Sequence, residues 1–172
     1  MDVYELIVVG GGAAGFMSAI TAAENGIQKI IILESTSKLL EKVRISGGGR
    51  CNVTNATWIP SDFIENYPRG KKKLLESFSR FAAGDVFEWF QRRGVKLKIE
   101  NDLRVFPIAD SSLEVVNCLK NSAQEMGIKI SKKQFVKKIS KDYKNNFFKV
   151  FINEDEFLIT EKLLISTGGH PS

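Results

Sequence analysis

The stretch Val3–Glu34, VYELIVVGGGAAGFMSAITAAENGIQKIIILE, decides the fold. It opens on a β-branched, apolar run, Tyr4–Val9, that leads into glycines, which is the pattern of a strand buried on both faces of a parallel sheet. From Ala13 to Asn25 small and apolar residues (Ala14, Met17, Ala19, Ile20, Ala23) recur at helical spacing, and Gly26 falls where a helix closes on a glycine. Lys29–Leu33 (KIIIL) is a second buried strand, closed by Glu34. Strand, glycine turn, helix and strand make one βαβ unit, for which a right-handed crossover is expected.

Within that unit lies Gly10-x-Gly12-x-x-Gly15, and an acid, Glu34, stands nineteen residues beyond Gly15 at the end of the second strand. Three glycines at this spacing say little alone. Placed between a buried strand and a helix they form a dinucleotide fingerprint: Gly10 for the tight turn, Gly12 for approach of backbone to a pyrophosphate, Gly15 for close helix–sheet packing. The pyrophosphate is expected on the positive end of the helix, at Ala13 and Ala14. Glu34 is expected to accept hydrogen bonds from the adenosine ribose. A carboxylate there repels a 2′-phosphate, which favours FAD or NAD over NADP. The fingerprint does not separate FAD from NAD.

A second segment, Ile45–Asn55 (ISGGGRCNVTN), is too rich in glycine for helix or strand, and its glycines imply backbone running close to another group. Ser46, Gly47, Gly48, Gly49, Arg50, Cys51 and Asn52 together offer consecutive backbone N–H groups, a cation and an amide. Such a set suits a phosphate or the electron-rich pyrimidine edge of a flavin. Farther on, Leu74–Arg93 is predicted as one amphipathic helix ended by Gly94, and Ser112–Met126 as another, ended by Gly127. Val95–Ile99, Arg104–Phe106, Ile128–Ile130, Phe135–Ile139, Phe147–Ile152, Glu156–Thr160 and Lys162–Ser166 are predicted strands; Phe135–Ile139, Phe147–Ile152 and Glu156–Thr160 have the look of an antiparallel meander. The expected fold is therefore α/β: a Rossmann-like, doubly wound parallel sheet with a helical excursion in the middle and a small antiparallel meander before the final strand.

The 172 residues suffice for one ordinary domain, and no linker or repeat divides them. Hydrophobic content of 43% with 26% charged residues argues against disorder. No apolar run is long enough to span a bilayer, and none follows a basic leader, so no membrane partner is expected and the cytoplasm is the expected location. Cys51, Cys118 and the single His170 match no metal-ligand spacing, so no metal is expected. The net charge of +5 is uneven: Arg69–Lys73 is a basic knot, and Lys129–Lys149 holds eight lysines against one acid, Asp142. Such runs are solvated faces or nucleic-acid surfaces, which leaves RNA open as a partner.

From Val3 to Asn55, through GGGAAG and ISGGGRCNVTN, the sequence resembles the HI0933-like (aminoacetone oxidase-like) flavoprotein family. Arg104-Val105-Phe106-Pro107 is similar to that family's GRVFP element, and Ser166-Thr167-Gly168-Gly169 to its second FAD-contacting turn. The resemblance implies an FAD-binding domain of glutathione-reductase type, FAD as cofactor, and an oxidoreductase. It also implies that Ser35, Lys42, Val136 (main-chain clamp on adenine), Thr167, Gly168 and Gly169 join the cofactor site. The sequence departs from the family at Leu40-Glu41, where a small and a basic residue are usual and where the loop toward the flavin is expected to loosen. It departs again at Leu103, where GRVFP has glycine, and at His170-Pro171. The family's chains are longer, with an inserted substrate domain and a C-terminal flavin-covering segment, so this sequence is expected to be a fragment, a truncated gene product or one piece of a split protein. A cysteine pair five residues apart, as in disulfide reductases of the same fold, is absent: Ala56 stands where the partner of Cys51 would be. Three functions stay open: hydride transfer to or from a small molecule with NAD(P)H as electron donor, flavin-dependent reduction of uridine in RNA, and a non-catalytic remnant. No residue stands out as a catalytic acid or base.

Overall fold

The computed structural model describes residues 3–154 and 156–169. They fall into two compact units, one made of Met1–Lys42 with Leu119–Ser172, the other of Val43–Cys118. No shift of composition marks either crossing, which is why the sequence reads as one continuous domain.

The first unit is built on β1 (Val3–Val9), α1 (Ala13–Glu24) and β2 (Ile30–Glu34). β1 and β2 run parallel from Leu6↔Ile30 to Val9↔Leu33. The later strands are β6 (Lys129–Lys132), β7 (Lys138–Asp142), β8 (Phe147–Phe151) and β9 (Phe157–Ile165). Together they form a six-stranded sheet of order β6-β2-β1-β9-β8-β7. β6, β2, β1 and β9 are parallel neighbours; β9, β8 and β7 are the antiparallel meander. Ile7, Val9, Ile31 and Leu33 share a buried cluster with Tyr4 and Val150. On α1, Phe16, Ala19 and Ile20 are fully buried, and the helix packs on β1 and β2.

Two predicted strands, Glu156–Thr160 and Lys162–Ser166, are one: β9 runs unbroken through Glu161 and Lys162. Of β9, only Phe157–Thr160 pair with β8. Beyond that point β9 keeps its partner β1, with Leu6 opposite Lys162, and polar side chains stay exposed without breaking the ladder. β7 starts later than expected, at Lys138, which leaves Val136 in the connection from β6 rather than in a strand.

The second unit holds a three-stranded antiparallel sheet of order β3-β5-β4: β3 (Thr54–Asn55), β5 (Arg104–Pro107) and β4 (Leu97–Ile99). The chain enters it through α2 (Glu41–Ile45) and leaves it through α6 (Ser112–Glu125). The helix predicted over Leu74–Arg93 is two, α4 (Lys71–Phe78) and α5 (Ala83–Arg92), which follow the short α3 (Pro60–Phe63). The break falls at Ala82, which is extended and whose N–H donates to Asp85 Oδ2 at 2.7 Å. An acid three residues into a new helix, holding the N–H just before it, is a start signal that outweighs the continuing apolar spacing. Phe90, Leu97, Val105 and Phe106 are buried.

Candidate functional site

The turn from β1 to α1 is set by close approach. Gly10 N–H donates to Leu33 O at 2.8 Å and Gly10 has φ +113°, where side chains are strained. A Cβ on Gly15 would stand 2.0 Å from the Gly10 carbonyl oxygen and 2.9 Å from Ser166 Oγ, so the start of α1 lies directly on the turn. Gly12 is different. Its backbone is extended, with φ −91° and ψ −173°, open to any residue, and no atom of the described residues lies within 4 Å of the Cβ it lacks. Gly12 is also the N-cap of α1, with no side-chain capping bond and no acid in the first turn of the twelve-residue helix. Ala13, Ala14 and Gly15 follow it, so the positive end of the helix meets the open space at Gly12.

Glu34 ends β2 beside this turn. Its Oε2 accepts the Gly11 N–H at 2.9 Å, and its Oε1 accepts the Thr36 N–H at 2.8 Å and the Ser35 hydroxyl at 3.2 Å. Partial burial pushes its pKa up, but the Thr36 and Gly11 N–H groups outweigh this and hold the carboxyl below its ordinary range. A lowered folded-state pKa means that these bonds stabilise fully above the unfolded value of about 4.3 and are lost as pH falls through the folded value. The stability gap between the natural chain and Glu34→Gln is therefore expected to be wide at neutral pH and to close in acid. Urea unfolding at both pH values measures it; a gap independent of pH contradicts the assignment.

Three residues of this turn carry weight that the fingerprint does not assign. Gly11 donates to Glu34, and a Cβ on it would meet Leu39 Cδ2 at 2.8 Å and the Glu34 side chain at 3.1 Å. Leu40, one of the departures from the family pattern, is 1% exposed, adopts φ +56° and donates its N–H to Gly11 O at 2.9 Å. It pins the loop to the turn where loosening was expected. Ser166 donates its N–H to Val9 O at 2.8 Å, and its hydroxyl reaches the carbonyls of Val9 and Gly10 at 3.1 and 3.2 Å. Sequence signals existed for Gly11, as the middle glycine of a run of three, for Leu40, as a departure from the family pattern, and for Ser166, as the polar end of an apolar strand that opens a glycine turn.

At the end of β9, Thr167, Gly168 and Gly169 follow Ser166, with Gly168 at φ +73°. Lys42 Nζ donates to Gly169 O at 2.7 Å, so the lysine, in the first turn of α2, holds this turn. His170 and Pro171 lie outside the described residues. Val136 packs against the buried cluster of Val9, Ile31 and Leu33, in a connection held by Lys133 N–H to Thr36 O (3.0 Å) and Gln134 N–H to Glu34 O (2.9 Å). Among the described residues its own N–H and C=O take part in no backbone hydrogen bond. The first unit thus brings Gly10–Gly15, Glu34, Ser35, Val136 and Ser166–Gly169 to the carboxyl ends of its parallel strands.

In the second unit Ser46–Gly49 form a tight single turn, with Gly47 (φ 56°, ψ 32°) and Gly48 (φ 68°, ψ 31°) both left-handed. A Cβ on Gly47 would stand 2.9 Å from both Asn52 N and Phe106 Cε1, whereas nothing lies within 4 Å of those missing from Gly48 and Gly49. Arg50 stacks its guanidinium 3.9 Å from the Phe106 ring centroid and bonds Glu100 Oε1 at 2.6 Å. Turned so that its nitrogen faces acceptors, the Asn52 amide donates to Thr54 O (2.9 Å) and Val105 O (3.3 Å). The cation and the amide read from the sequence as ligand donors thus have partners inside the unit, and the backbone of Gly48 and Gly49 is what the turn leaves open. Cys51 is buried, at φ +63°, and burial pushes its thiol pKa up, only partly offset by Ser46. A buried, protonated thiol is a poor nucleophile.

This is a Rossmann-type dinucleotide-binding architecture: a parallel sheet, a glycine turn opening a helix, and an ionised acid ending the second strand. The model of the HI0933-like protein Rossmann domain matches residues 4–172, and the chain belongs to that family. Among curated proteins it is 27% identical over 169 residues to the ribosomal RNA dihydrouridine synthase of Escherichia coli, covering 98% of this chain and 40% of that protein. It is 29% identical over 124 residues to the 3-dehydro-bile acid delta(4,6)-reductase of Clostridium scindens, covering 72% of this chain and 29% of that protein. The chain thus spans well under half the length of these relatives. The same fold occurs in a flavocytochrome c3 fumarate reductase (TM-score 0.70, 21% identity, 98% of this chain and 34% of that one). It recurs in a 3-ketosteroid-delta4-(5alpha)-dehydrogenase of Rhodococcus jostii (TM-score 0.69, 14% identity, 97% and 46%).

Proposed function

We propose that this chain is the FAD-binding part of a flavin-dependent oxidoreductase. The observation that carries the reading is the open space at Gly12, faced by the uncapped start of α1 and flanked by the ionised Glu34. Those residues fit the ADP half of FAD: α1 amides for the pyrophosphate, Glu34 for the ribose hydroxyls, Val136 main chain for adenine. In the second unit, taken by itself, Gly48 and Gly49 offer backbone N–H groups of the kind that suits the pyrimidine edge of a flavin. Lys42 keeps the Thr167–Gly169 turn in place. When bound, the flavin supplies the hydride chemistry, and the protein orients it.

The substrate class we favour is a small molecule with a carbon–carbon double bond conjugated to a carbonyl, with NAD(P)H as electron donor. The bile-acid reductase among the relatives reduces a group of that kind. A second reading, reduction of uridine in RNA, involves the same type of bond and is favoured by the ribosomal RNA dihydrouridine synthase likeness across nearly the whole chain. Equilibrium dialysis of the 172-residue chain tests the shared premise. FAD and ADP are expected to be retained and to compete, while FMN, which lacks the adenylate, is not. Retention of FMN without competition by ADP overturns the reading.

A further inference from the structure

The hairpin of β7 and β8 carries Lys138, Lys141, Lys144 and Lys149 and one acid, Asp142. That acid is drawn into the turn: its carboxylate accepts the N–H groups of Lys144 (3.1 Å) and Asn145 (3.2 Å) and the Asn145 side-chain amide (3.0 Å). Among the described residues none of the four lysines forms a salt bridge, though Asn145 and, to a lesser degree, Lys149 hold the Asp142 carboxyl below its ordinary range; each of three lies over an aromatic ring. Tyr143, at the tip, is 85% exposed, with Lys141 Nζ 5.6 Å from its ring centroid. The pairing of Lys138 with Phe151 and of Lys141 with Phe148 puts lysines on both faces of the hairpin. β7 is the outer strand of its sheet, so one long side of the hairpin has no strand neighbour among the described residues.

We infer that this hairpin docks RNA, its lysines against backbone phosphates and Tyr143 against an unpaired base. Lysines with an exposed aromatic are the means by which proteins hold single strands: the cations release counterions and the ring stacks on bases of any sequence. An anionic membrane is the poorer match, because a planar surface needs its cations and apolar groups sorted to opposite faces, and here cations occupy both. The choice of a polynucleotide rests on the RNA-directed reading above.

The test uses the 172-residue chain and a short fluorescein-labelled single-stranded RNA, followed by anisotropy at low and moderate salt. Lys141→Gln with Lys144→Gln is expected to weaken binding about tenfold and to flatten the log–log salt dependence by about 1.4, near 0.7 for each phosphate that is no longer neutralised. Tyr143→Ala is expected to cost about tenfold with an unchanged salt slope. The pair Lys72→Gln with Lys73→Gln, in the other basic cluster, is expected to leave RNA affinity alone, and ADP affinity is expected to stay unchanged in every variant. Equal losses from both lysine pairs, no RNA binding by the natural chain, or hairpin lysines needed for phosphatidylserine vesicles and not for RNA would each overturn the inference. Dihydrouridine formed by the FAD-loaded protein is measured separately, so the hairpin can fail while the RNA-directed reading stands, and the reverse.

Discussion

Gly15→Ala is expected to lower the melting temperature by roughly 6–12 °C. By helix propensity alone the change should help, since alanine is favoured over glycine inside a helix by about 1 kcal/mol. Geometry decides otherwise. The new Cβ would lie 2.0 Å from the Gly10 carbonyl oxygen, a main-chain atom also reached by Ser166 Oγ at 3.2 Å. No side chain can swing aside, so either α1 moves off the sheet or the turn opens. Overpacking of this kind costs about 3 kcal/mol, and a chain of this size loses about 2–4 °C for each. Thermal unfolding followed by circular dichroism measures it; a melting point unchanged or raised would mean that α1 does not rest on the turn.

Gly12→Asp is expected to do the reverse, keeping the fold and removing the ligand. Aspartate is a preferred N-cap and sits favourably at the positive end of a helix, and the backbone of Gly12 is already extended. The side chain enters space with no atom of the described residues within 4 Å. A carboxylate there meets the pyrophosphate, and charges about 4 Å apart near a protein surface repel by about 4 kcal/mol. Allowing for rearrangement, a loss of at least about a hundredfold in affinity for both ADP and FAD is expected, or close to 3 kcal/mol. The contrast between the two substitutions separates the glycine that the fold needs from the glycine that the ligand needs.

Much of this is legible in the sequence. Tyr4–Val9 and Lys29–Leu33 are continuous apolar runs that can only be buried parallel strands, and the glycines between them require the turn that is found. The meander also followed from short alternating strands divided by polar turns. What escaped depends on neighbours that a local window does not contain. The helix break at Ala82 turns on one bond from Asp85 against an unbroken apolar face. The continuity of β9 through Glu161 and Lys162 is set by β1, more than 150 residues away in the chain. Leu103 adopts φ +66°, the conformation for which the family's glycine is suited, so the departure is borne as local strain with the side chain half in solvent. Arg50 looked like a free cation because Glu100 and Phe106 lie fifty residues downstream. Ser166 looked like a strand end, and only the fold brings its hydroxyl to Val9 and Gly10.

The most direct measurement is a calorimetric titration of ADP and FAD into the natural 172-residue chain and into Gly12→Asp, with melting temperatures taken on the same samples. The account predicts that both ligands bind the natural chain, that both lose at least about a hundredfold in the variant, and that the melting temperature of the ligand-free protein is unchanged or higher. Undiminished FAD affinity in a folded Gly12→Asp protein would contradict it, because the pyrophosphate would then have to lie somewhere other than at the start of α1.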